Sequence, residues 1–288
     1  MPSSSSSSAQ QARLALAGLL REMREDAGLT GDELAEAAGW HGKSKVSKIE
    51  SGTRPISADD LRVWCRACGV SPERTNELLA ARREAAGMWT DSRRINRAGL
   101  RAAQKGVRPI FDRSTSVRSY QPRMIPGLLQ TADYATAVLK AVQQRHSVQA
   151  DDVAAAVEER LARQSILRQP GRTFAFLLEE AALRYQLYDR EILESQLVHL
   201  EEVTRLPSVS LGIIPLQAAR AHSPHAAPVE GFTMFDDGMI SVELVSGHLQ
   251  LTQKWEIALY AERFAALANI AVYGPQARRM IAAARGAK

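Results

Sequence analysis

Apolar residues recur at helical spacing near the start of the chain and predict a first helix from Ala12 to Asp26. Gly28 follows at the position where a left-handed residue commonly ends a helix. Thr30 and Glu33 have the spacing of a capping box, in which each side chain accepts a hydrogen bond from a free backbone N–H. We therefore expect a second, short helix that begins after Thr30 and is broken at Gly39.

The third helix, predicted over Lys43–Glu50, separates apolar from polar side chains. Val46 and Ile49 fall on one side, which we expect to be buried. The opposite side carries short hydroxyls and long cations, namely Ser44, Ser47 and Lys48 at its centre and Lys43 and Lys45 at its edges. These groups can donate to base edges or phosphates of DNA, although an exposed polar helix in a small bundle has the same pattern.

Two more helices are predicted to complete the N-terminal region. Ser57 caps the fourth, and Ser71 with Pro72 starts the fifth, which ends near residue 86. The fourth helix contains Cys65 and Cys68, a spacing found in redox pairs and in half of a zinc site. Because no second pair of ligands lies nearby in the sequence, we interpret both as small core residues.

Beyond residue 110 short apolar runs alternate with amphipathic helices, which predicts a mixed α+β domain. An extended segment is expected over 111–120, and Thr131 is expected to cap a helix that starts at Ala132. The other helices are predicted over 153–168, 190–206 and 255–270, and the strands over 173–178, 209–214, 231–235, 240–244 and 248–252. Asp236, Asp237 and Gly238 between two apolar runs indicate a β-hairpin.

The net charge of +5 is distributed unevenly along the chain. Residues 1–87 have a net charge of 0, residues 88–125 of +7, and residues 126–288 of −2. The basic segment contains Arg93, Arg94, Arg97, Arg101, Lys105 and Arg108. It could follow the phosphates beside a DNA-reading helix, with Arg93, Arg94 and Arg97 as the first candidates, or it could be a solvated basic linker.

The third helix closes on a recognisable sequence, SKIESGTRPIS. Its key positions are Ser47, Lys48, Ile49, Glu50, Gly52 and Arg54. This order resembles the phage-repressor or Xre-type helix-turn-helix family. The resemblance implies five helices with the third in the major groove and with Glu50 in a structural role. Thr30 and Arg54 are two further candidate DNA contacts. We expect Glu50 to be held by a partner such as Arg54, because an acid at the C-terminal end of a helix opposes the helix dipole.

One departure from the family limits what can be transferred. Many members carry Gln early in the recognition helix, where this chain has Gly42 and Lys43. No base preference is therefore assigned.

A second resemblance begins at residues 126–131, PGLLQT, followed by Asp133 and Tyr134. It is similar to the start of an uncharacterised domain that follows Xre-type domains in actinobacterial regulators of the WhiJ type. An R-x-x-R pair at Arg160 and Arg163 agrees with it. The sequence thus predicts an α+β multidomain protein, with an N-terminal all-α five-helix helix-turn-helix domain and a mixed α+β C-terminal domain.

The expected organisation has five parts. Residues 1–11 form a disordered tail, 12–86 the helix-turn-helix domain, 87–110 a basic helical linker, 111–275 a sensor or partner-binding domain, and 276–288 a C-terminal helical tail. No apolar run is long enough for a membrane span and no secretory signal is evident, so a cytoplasmic location is expected.

Enzyme chemistry finds little support in the sequence. Glu179 and Glu180 are adjacent, so on a strand they would point to opposite faces instead of forming an acid–base pair. His222 and His225 are a weak metal motif because no third ligand has a defined spacing. We expect no catalytic residue, no metal and no cofactor.

Three functional hypotheses follow. The first is a transcriptional regulator that binds double-stranded DNA as a homodimer on a near-palindromic operator. The second is an antitoxin-like protein whose C-terminal domain holds a small partner protein, with DNA binding as autoregulation. The third is a C-terminal domain that senses a small molecule or has an enzymatic activity.

Overall fold

The computed structural model describes residues 7–87, 89–221, 223–245 and 247–286. For residues 7–13, 80, 83–87, 89, 91, 93 and 94 the description covers the backbone alone. The chain divides into two compact units, residues 1–90 and residues 91–288. The predicted fold class is confirmed, since an all-helical N-terminal unit is followed by a unit that combines a sheet with helices.

Five helices form the first unit. They are α1 (Ser7–Asp26), α2 (Gly31–Ala37), α3 (Ser44–Glu50), α4 (Ala58–Ala67) and α5 (Pro72–Gly87). Helix α1 begins at Ser7, so residues 7–11, expected in the disordered tail, are helical, and the rest of that tail lies outside the described residues. A three-residue strand, β1 (Trp89–Asp91), follows α5 at the boundary of the units.

Local capping sets the ends of the short helices. Thr30 Oγ1 accepts from the Glu33 N–H at 3.2 Å, and the Glu33 carboxylate accepts from the Thr30 N–H at 2.7 Å, which confirms the predicted capping box. The Ser57 hydroxyl accepts from the Asp60 N–H at 3.0 Å and caps α4 as predicted. Each cap satisfies backbone N–H groups that the helix itself leaves free.

The core of the first unit is built around Trp64. Its side chain is fully buried, its indole N–H donates to the Leu20 carbonyl at 3.2 Å, and its ring lies 6.0 Å from that of Trp40. Cys65 is buried beside it, as predicted for a small core residue, and Cys68 is partly buried against the same core. Burial of this indole at α4 fixes the packing of α1 against the rest of the bundle.

The second unit contains eight helices and six strands among its described residues. The helices are α6 (Ser92–Asn96), α7 (Leu100–Arg113), α8 (Ala132–Arg145), α9 (Val153–Arg163), α10 (Glu180–Arg184), α11 (Arg190–Val203), α12 (Lys254–Asn269) and α13 (Gly274–Gly286). The strands are β2 (Ser116–Gln121), β3 (Thr173–Glu179), β4 (Val209–Ile214), β5 (Phe232–Phe235), β6 (Met239–Leu244) and β7 (Gly247–Leu251). Short 3₁₀ helices cover Gly127–Leu129, Gln164–Arg168 and Pro224–Ala226.

The sheet of this unit runs in the order β7-β6-β5-β2-β3-β4. Strands β2, β3 and β4 are parallel, and β2 joins them to the antiparallel meander of β5, β6 and β7. The predicted hairpin is confirmed, with Phe235 opposite Met239 across the turn. Asp236 in that turn accepts from the Ser116 and Thr115 N–H groups at 2.8 and 3.0 Å and so ties the hairpin to the start of β2.

The PGLLQT motif is held by buried amides. Gln130 Nε2 donates to the Ile125 carbonyl at 2.8 Å, and Gln196 on α11 donates to the Leu129 carbonyl at 2.7 Å and accepts from the Thr131 N–H at 2.8 Å. Thr131 in turn caps α8 as predicted. These side chains satisfy the irregular backbone that Pro126 and Gly127 impose, which buried polar groups require.

Three sequence predictions need correction. Residues 91–113 belong to the second unit, where α7 packs on α9, so they are not a separate linker. Phe111 lies at the end of α7, because the strand starts only at Ser116. The segment after 275 is not a tail, since Ala277 and Ile281 on α13 are fully buried in the core below the sheet.

No helix within 7–87, 89–221, 223–245 and 247–286 combines the length and apolar character needed to cross a membrane.

Candidate nucleic-acid interface

Helix α3 lies with its apolar side in the core of the first unit. Val46 and Ile49 are each 2% exposed, which confirms the predicted buried side. The α2 and α3 helices are joined by a turn through Gly39 and Gly42, both with positive φ. This short helix, turn and second helix have the arrangement of a helix-turn-helix motif.

An ion pair fixes the C-terminal end of α3. Arg24 of α1 donates through Nε to Glu50 Oε1 at 2.6 Å and through Nη2 to Glu50 Oε2 at 3.2 Å, while its Nη1 donates to the Leu29 carbonyl at 2.7 Å. Both side chains are only about one-eighth exposed, at 12% and 13%. The hydrogen bonds from Arg24 to Glu50 raise the pKa of the guanidinium further above its usual value. Glu50 is therefore held by a cation as expected, but that cation is Arg24 of α1 and not Arg54.

Gly52 closes the turn after this pair. Its φ is +67°, and a Cβ at this position would lie 2.8 Å from Leu14 Cδ2. Glycine is needed here for both the left-handed backbone and the close approach of α1.

A second ion pair removes Lys45 from the exposed face. Its Nζ donates to Asp60 Oδ1 of α4 at 2.6 Å and lies 4.1 Å from the centroid of the Trp40 ring. Burial alone would raise the pKa of Asp60, but the hydrogen bonds from Lys45 and from Ser57 lower it overall. Lys45 was predicted at the edge of the DNA-binding face, and the structure instead places its charge between α3 and α4.

The remaining face of α3 is free of carboxylates. Ser44, Ser47 and Lys48 are exposed, and within the described residues no ion pair is made by Lys48. Lys43 is the residue before α3 and makes a solvent-exposed contact of 3.2 Å with Asp32. Such an exposed pair is worth little, so Lys43 is free to exchange Asp32 for a phosphate.

Two further predicted contacts lie beside this face. Thr30 is exposed at the start of α2, where its hydroxyl oxygen is engaged in the cap but its hydroxyl hydrogen can still be donated. Arg54 is exposed after the turn that follows α3, and its backbone N–H donates to the Lys48 carbonyl at 2.9 Å. Both stay predicted DNA contacts.

The basic segment is arranged differently. Arg101 and Lys105 on α7 lie 3.2 and 3.5 Å from Glu159 of α9, and Arg108 lies 3.4 Å from Asp112. Arg97 is exposed after α6, whereas the side chains of Arg93 and Arg94 lie outside the described residues. The cations of α7 therefore face carboxylates of their own unit.

The candidate acid pair of the second unit is separated. Glu179 ends β3 and is buried, accepting from the Tyr120 hydroxyl at 2.8 Å and from Arg220 at 2.6 Å. Glu180 begins α10 and accepts from Arg184 and from the Leu216 N–H. The two carboxylates thus serve different networks.

The weak metal motif is only partly visible. His225 lies in the 3₁₀ helix Pro224–Ala226, and His222 lies outside the described residues. Among the residues that the structure describes, no group of three or more His, Cys, Asp or Glu side chains could hold a metal ion.

Sequence reasoning missed three residues that shape the interface, namely Arg24, Trp40 as a partner of Lys45, and Asp60. Arg24 could have been suspected from its place in the last turn of α1, where a cation is favourable. Asp60 follows the cap residue Ser57 by three positions, a spacing that indicates only a helix start. Its pairing with Lys45 joins residues 15 positions apart, which no local pattern reports.

Comparison with known families agrees with both units. A helix-turn-helix domain model matches residues 15–78 and supports DNA binding. A second model, described as a domain of unknown function (DUF5753), matches residues 112–283. The second match covers more than half of the chain, so the protein belongs to this family. It is a DUF5753 protein with an N-terminal helix-turn-helix domain, a coarser class than the Xre-type and WhiJ-type resemblance.

Comparison with solved structures and curated proteins adds little. One similar structure is titled "Structure of TrmBL2, an archaeal chromatin protein, shows a novel mode of DNA binding", with 8% identity and a TM-score of 0.29 over 90% of this chain and 100% of that one. A TM-score this low does not indicate a shared fold, so no property of that protein is transferred to this chain. No curated protein matches the chain.

Proposed function

We propose that this protein is a sequence-specific transcriptional regulator that binds double-stranded DNA through α3. The observation that carries the proposal is the exposed face of that helix, where Ser44, Ser47 and Lys48 present donors and no carboxylate. Lysine can donate to guanine O6 or N7, and serine hydroxyls to bases or phosphates. The helix-turn-helix match over residues 15–78 supports the same reading.

The proposed complex contains two copies of the chain. In a dimer, two copies of α3 enter successive major grooves about 34 Å apart on a near-palindromic site. Lys43, Thr30 and Arg54 border the face of α3 and contact the backbone on either side. The second unit then controls when the dimer binds.

Selection of bound sequences from a random DNA pool tests the proposal with the full-length protein. We expect one enriched motif with two-fold symmetry and a half-site spacing of about one helical turn. A variant with Ser47→Ala and Lys48→Ala should lose that enrichment, whereas Arg74→Ala on α5, paired with Glu77 on the surface, should keep it. Recovery of no motif by the wild-type protein would contradict sequence-specific binding.

A second candidate function is supported by one surface of α12. Trp255 and Leu259 lie one helical turn apart and are 61% and 49% exposed, which is unusual for large apolar side chains. They offer a small partner protein a place to bind, with DNA binding as autoregulation. Co-purification of the product of a neighbouring gene, lost on Trp255→Ala but not on Glu262→Gln, would favour this function. No co-purifying product would count against it.

A further inference from the structure

In the second unit the buried Arg163 and the partly exposed Arg160 lie side by side, and neither pairs with a carboxylate among the residues that the structure describes. Arg160 donates through Nη1 to Gln130 Oε1 at 2.6 Å and through Nε to Gln104 Oε1 at 3.2 Å. Arg163, only 6% exposed, donates to the carbonyl and the side-chain oxygen of Gln104, each at 3.2 Å. Both guanidinium groups therefore share one neutral oxygen, Gln104 Oε1.

The hydrogen bonds of this pair are incomplete. Arg163 Nε is buried and has no acceptor among the described residues. Neither arginine makes an ion pair within 4.0 Å in the part of the chain that the structure describes, and Glu243, the acid whose charge acts most strongly on Arg160, is exposed on β6. The nearby Glu159 is engaged with Arg101 and Lys105. The Arg163 guanidinium lies 5.1 Å from the centroid of the Phe111 ring, but no carboxylate within 4.0 Å in the described part of the chain balances the two positive charges.

Such an arrangement is energetically unfavourable by itself. Burial lowers the pKa of Arg160 to about 10, and burial followed by the charge of Arg160 lowers the pKa of Arg163 to about 10. Both groups stay protonated at pH 7, so the cost of burying like charges is not relieved by loss of a proton. An anion beside the exposed side of Arg160 would offset part of that cost.

One side of the pair is open to solvent. Arg160 is partly exposed. Burial raises the pKa of the half-buried Tyr188, and the charges of Arg145 and Arg160 act on its phenol to lower it. The Tyr188 ring packs edge-on against Tyr134 at 5.3 Å, and its hydroxyl has no hydrogen bond to a described residue.

We propose that Arg160, with Arg163 behind it and with Tyr188 and Arg145 beside it, binds the carboxylate or phosphate group of a small organic anion. Arg160, which is partly exposed, provides the direct contact, and Arg163 adds a second positive charge. Tyr188 donates its free hydroxyl to the anion and offers an aromatic surface to the rest of the ligand. This binding does not depend on the DNA-binding function proposed above.

Isothermal titration calorimetry of the full chain tests the site with three probes at constant ionic strength, namely inorganic phosphate, phenyl phosphate and benzoate. We expect one-to-one binding of phenyl phosphate or benzoate. Phenyl phosphate as the tighter probe would assign a phosphate ligand, and benzoate as the tighter probe a carboxylate. Phenyl phosphate should also bind more tightly than inorganic phosphate, because only its ring contacts Tyr188.

Variants separate a binding role from a purely structural one. Arg160→Gln should weaken binding about tenfold or more, the usual effect of losing a charge-assisted hydrogen bond. Arg145→Gln, at an exposed site, should weaken it several-fold, and Arg101→Gln, an exposed arginine paired with Glu159, should leave it within about twofold. If Arg160→Gln does not fold, Arg160→Lys with Arg145→Gln decides the matter.

Two results would overturn the proposal. One is an absence of binding by all three anions to the wild-type protein. The other is an affinity that stays the same in Arg160→Gln, or in both Arg160→Lys and Arg145→Gln, while thermal stability falls. That second pattern would mean that the arginines only brace α9 against α7.

Discussion

Helices α3 and α7 both carry several cations, but they differ in how many of those cations pair with carboxylates of neighbouring helices. The region around α3 has no net charge, since residues 1–87 are electrically balanced, yet Lys48 on its exposed face has no acid beside it. Helix α7 lies in the segment of net charge +7, yet Arg101 and Lys105 meet Glu159 of α9. An excess of charge in the sequence is therefore a poor guide to where free charge is presented.

The difference has a physical origin in pairing across helices. In the first unit the acids Glu50 and Asp60 are engaged with Arg24 and Lys45, away from the exposed side of α3. In the second unit Glu159 faces α7 and meets its cations. A protein cation that neutralises a DNA phosphate releases a counterion from the DNA, which favours binding. Helix α3 retains a cation available for this contact in Lys48.

The largest effect is expected from breaking the pair that holds α3. Glu50→Gln should lower the free energy of unfolding of the first unit by about 2–4 kcal/mol, because it removes the closest and most buried counter-charge of Arg24 and leaves only the exposed Glu25 at 3.3 Å. Hydrogen exchange of the peptides around Leu34 and Trp64, recorded at increasing urea concentrations, measures the free energy of unfolding of the first unit. The control Glu77→Gln, at the exposed pair with Arg74 on α5, should cost less than about 0.5 kcal/mol. Equal losses in both variants would show that the pair does not hold α3.

The next effect concerns DNA binding. Lys48→Ala should weaken specific binding by about 1–3 kcal/mol, and Ser47→Ala by less, because a lysine donates a charged hydrogen bond and a serine a neutral one. Mobility shifts at several salt concentrations give the affinity and its salt slope. Lys45→Met should leave the salt slope unchanged, since Lys45 is engaged with Asp60. A lower slope for Lys45→Met would place that lysine at the DNA after all.

A smaller effect is expected from acid. The pKa of Asp60 is lower in the folded than in the unfolded chain, so the unfolded state binds more protons as pH falls. The stabilisation is complete above the ordinary pKa of aspartate, about 4, and is lost as pH falls through the lower folded value. Asp60→Asn should therefore cost about 1 kcal/mol at pH 7 and less at pH 3.

Asp59→Asn is the matched control for this pH dependence, since that neighbouring carboxylate is 93% exposed. Its free energy of unfolding should stay within about 0.5 kcal/mol of the wild type at both pH values. A cost for Asp60→Asn that does not change between pH 7 and pH 3 would contradict a stabilising role for the Asp60 charge.

The smallest effect should come from α7. The double variant Arg101→Gln, Lys105→Gln is expected to change DNA affinity by less than about twofold and to leave the salt slope unchanged, because both cations face Glu159. A slope reduced by about 0.9 for each cation would show that α7 contacts phosphates and that the contrast with α3 is wrong.

Much of the fold could be predicted because its signals are local. The caps at Thr30, Ser57 and Thr131, and the β4 strand over Val209–Ile214, follow from residues within a few positions of one another. The errors came where packing overrode local pattern. The sequence predicts a C-terminal helical tail after residue 275, but the burial of Ala277 and Ile281 makes that helix part of the core.

At the candidate DNA-binding site, some features follow from the local sequence and others only from tertiary contacts. The sequence alone determined which side of α3 is apolar, because helical spacing fixes the direction of each side chain along a short helix. Tertiary structure decided which cations on that helix are free, by pairing Glu50 with Arg24 across 26 positions and Lys45 with Asp60 across 15. It also brought Arg160 and Arg163 together with Gln104 and left them without a carboxylate. Charge depends on what lies nearby in space, and no periodicity along the chain records that.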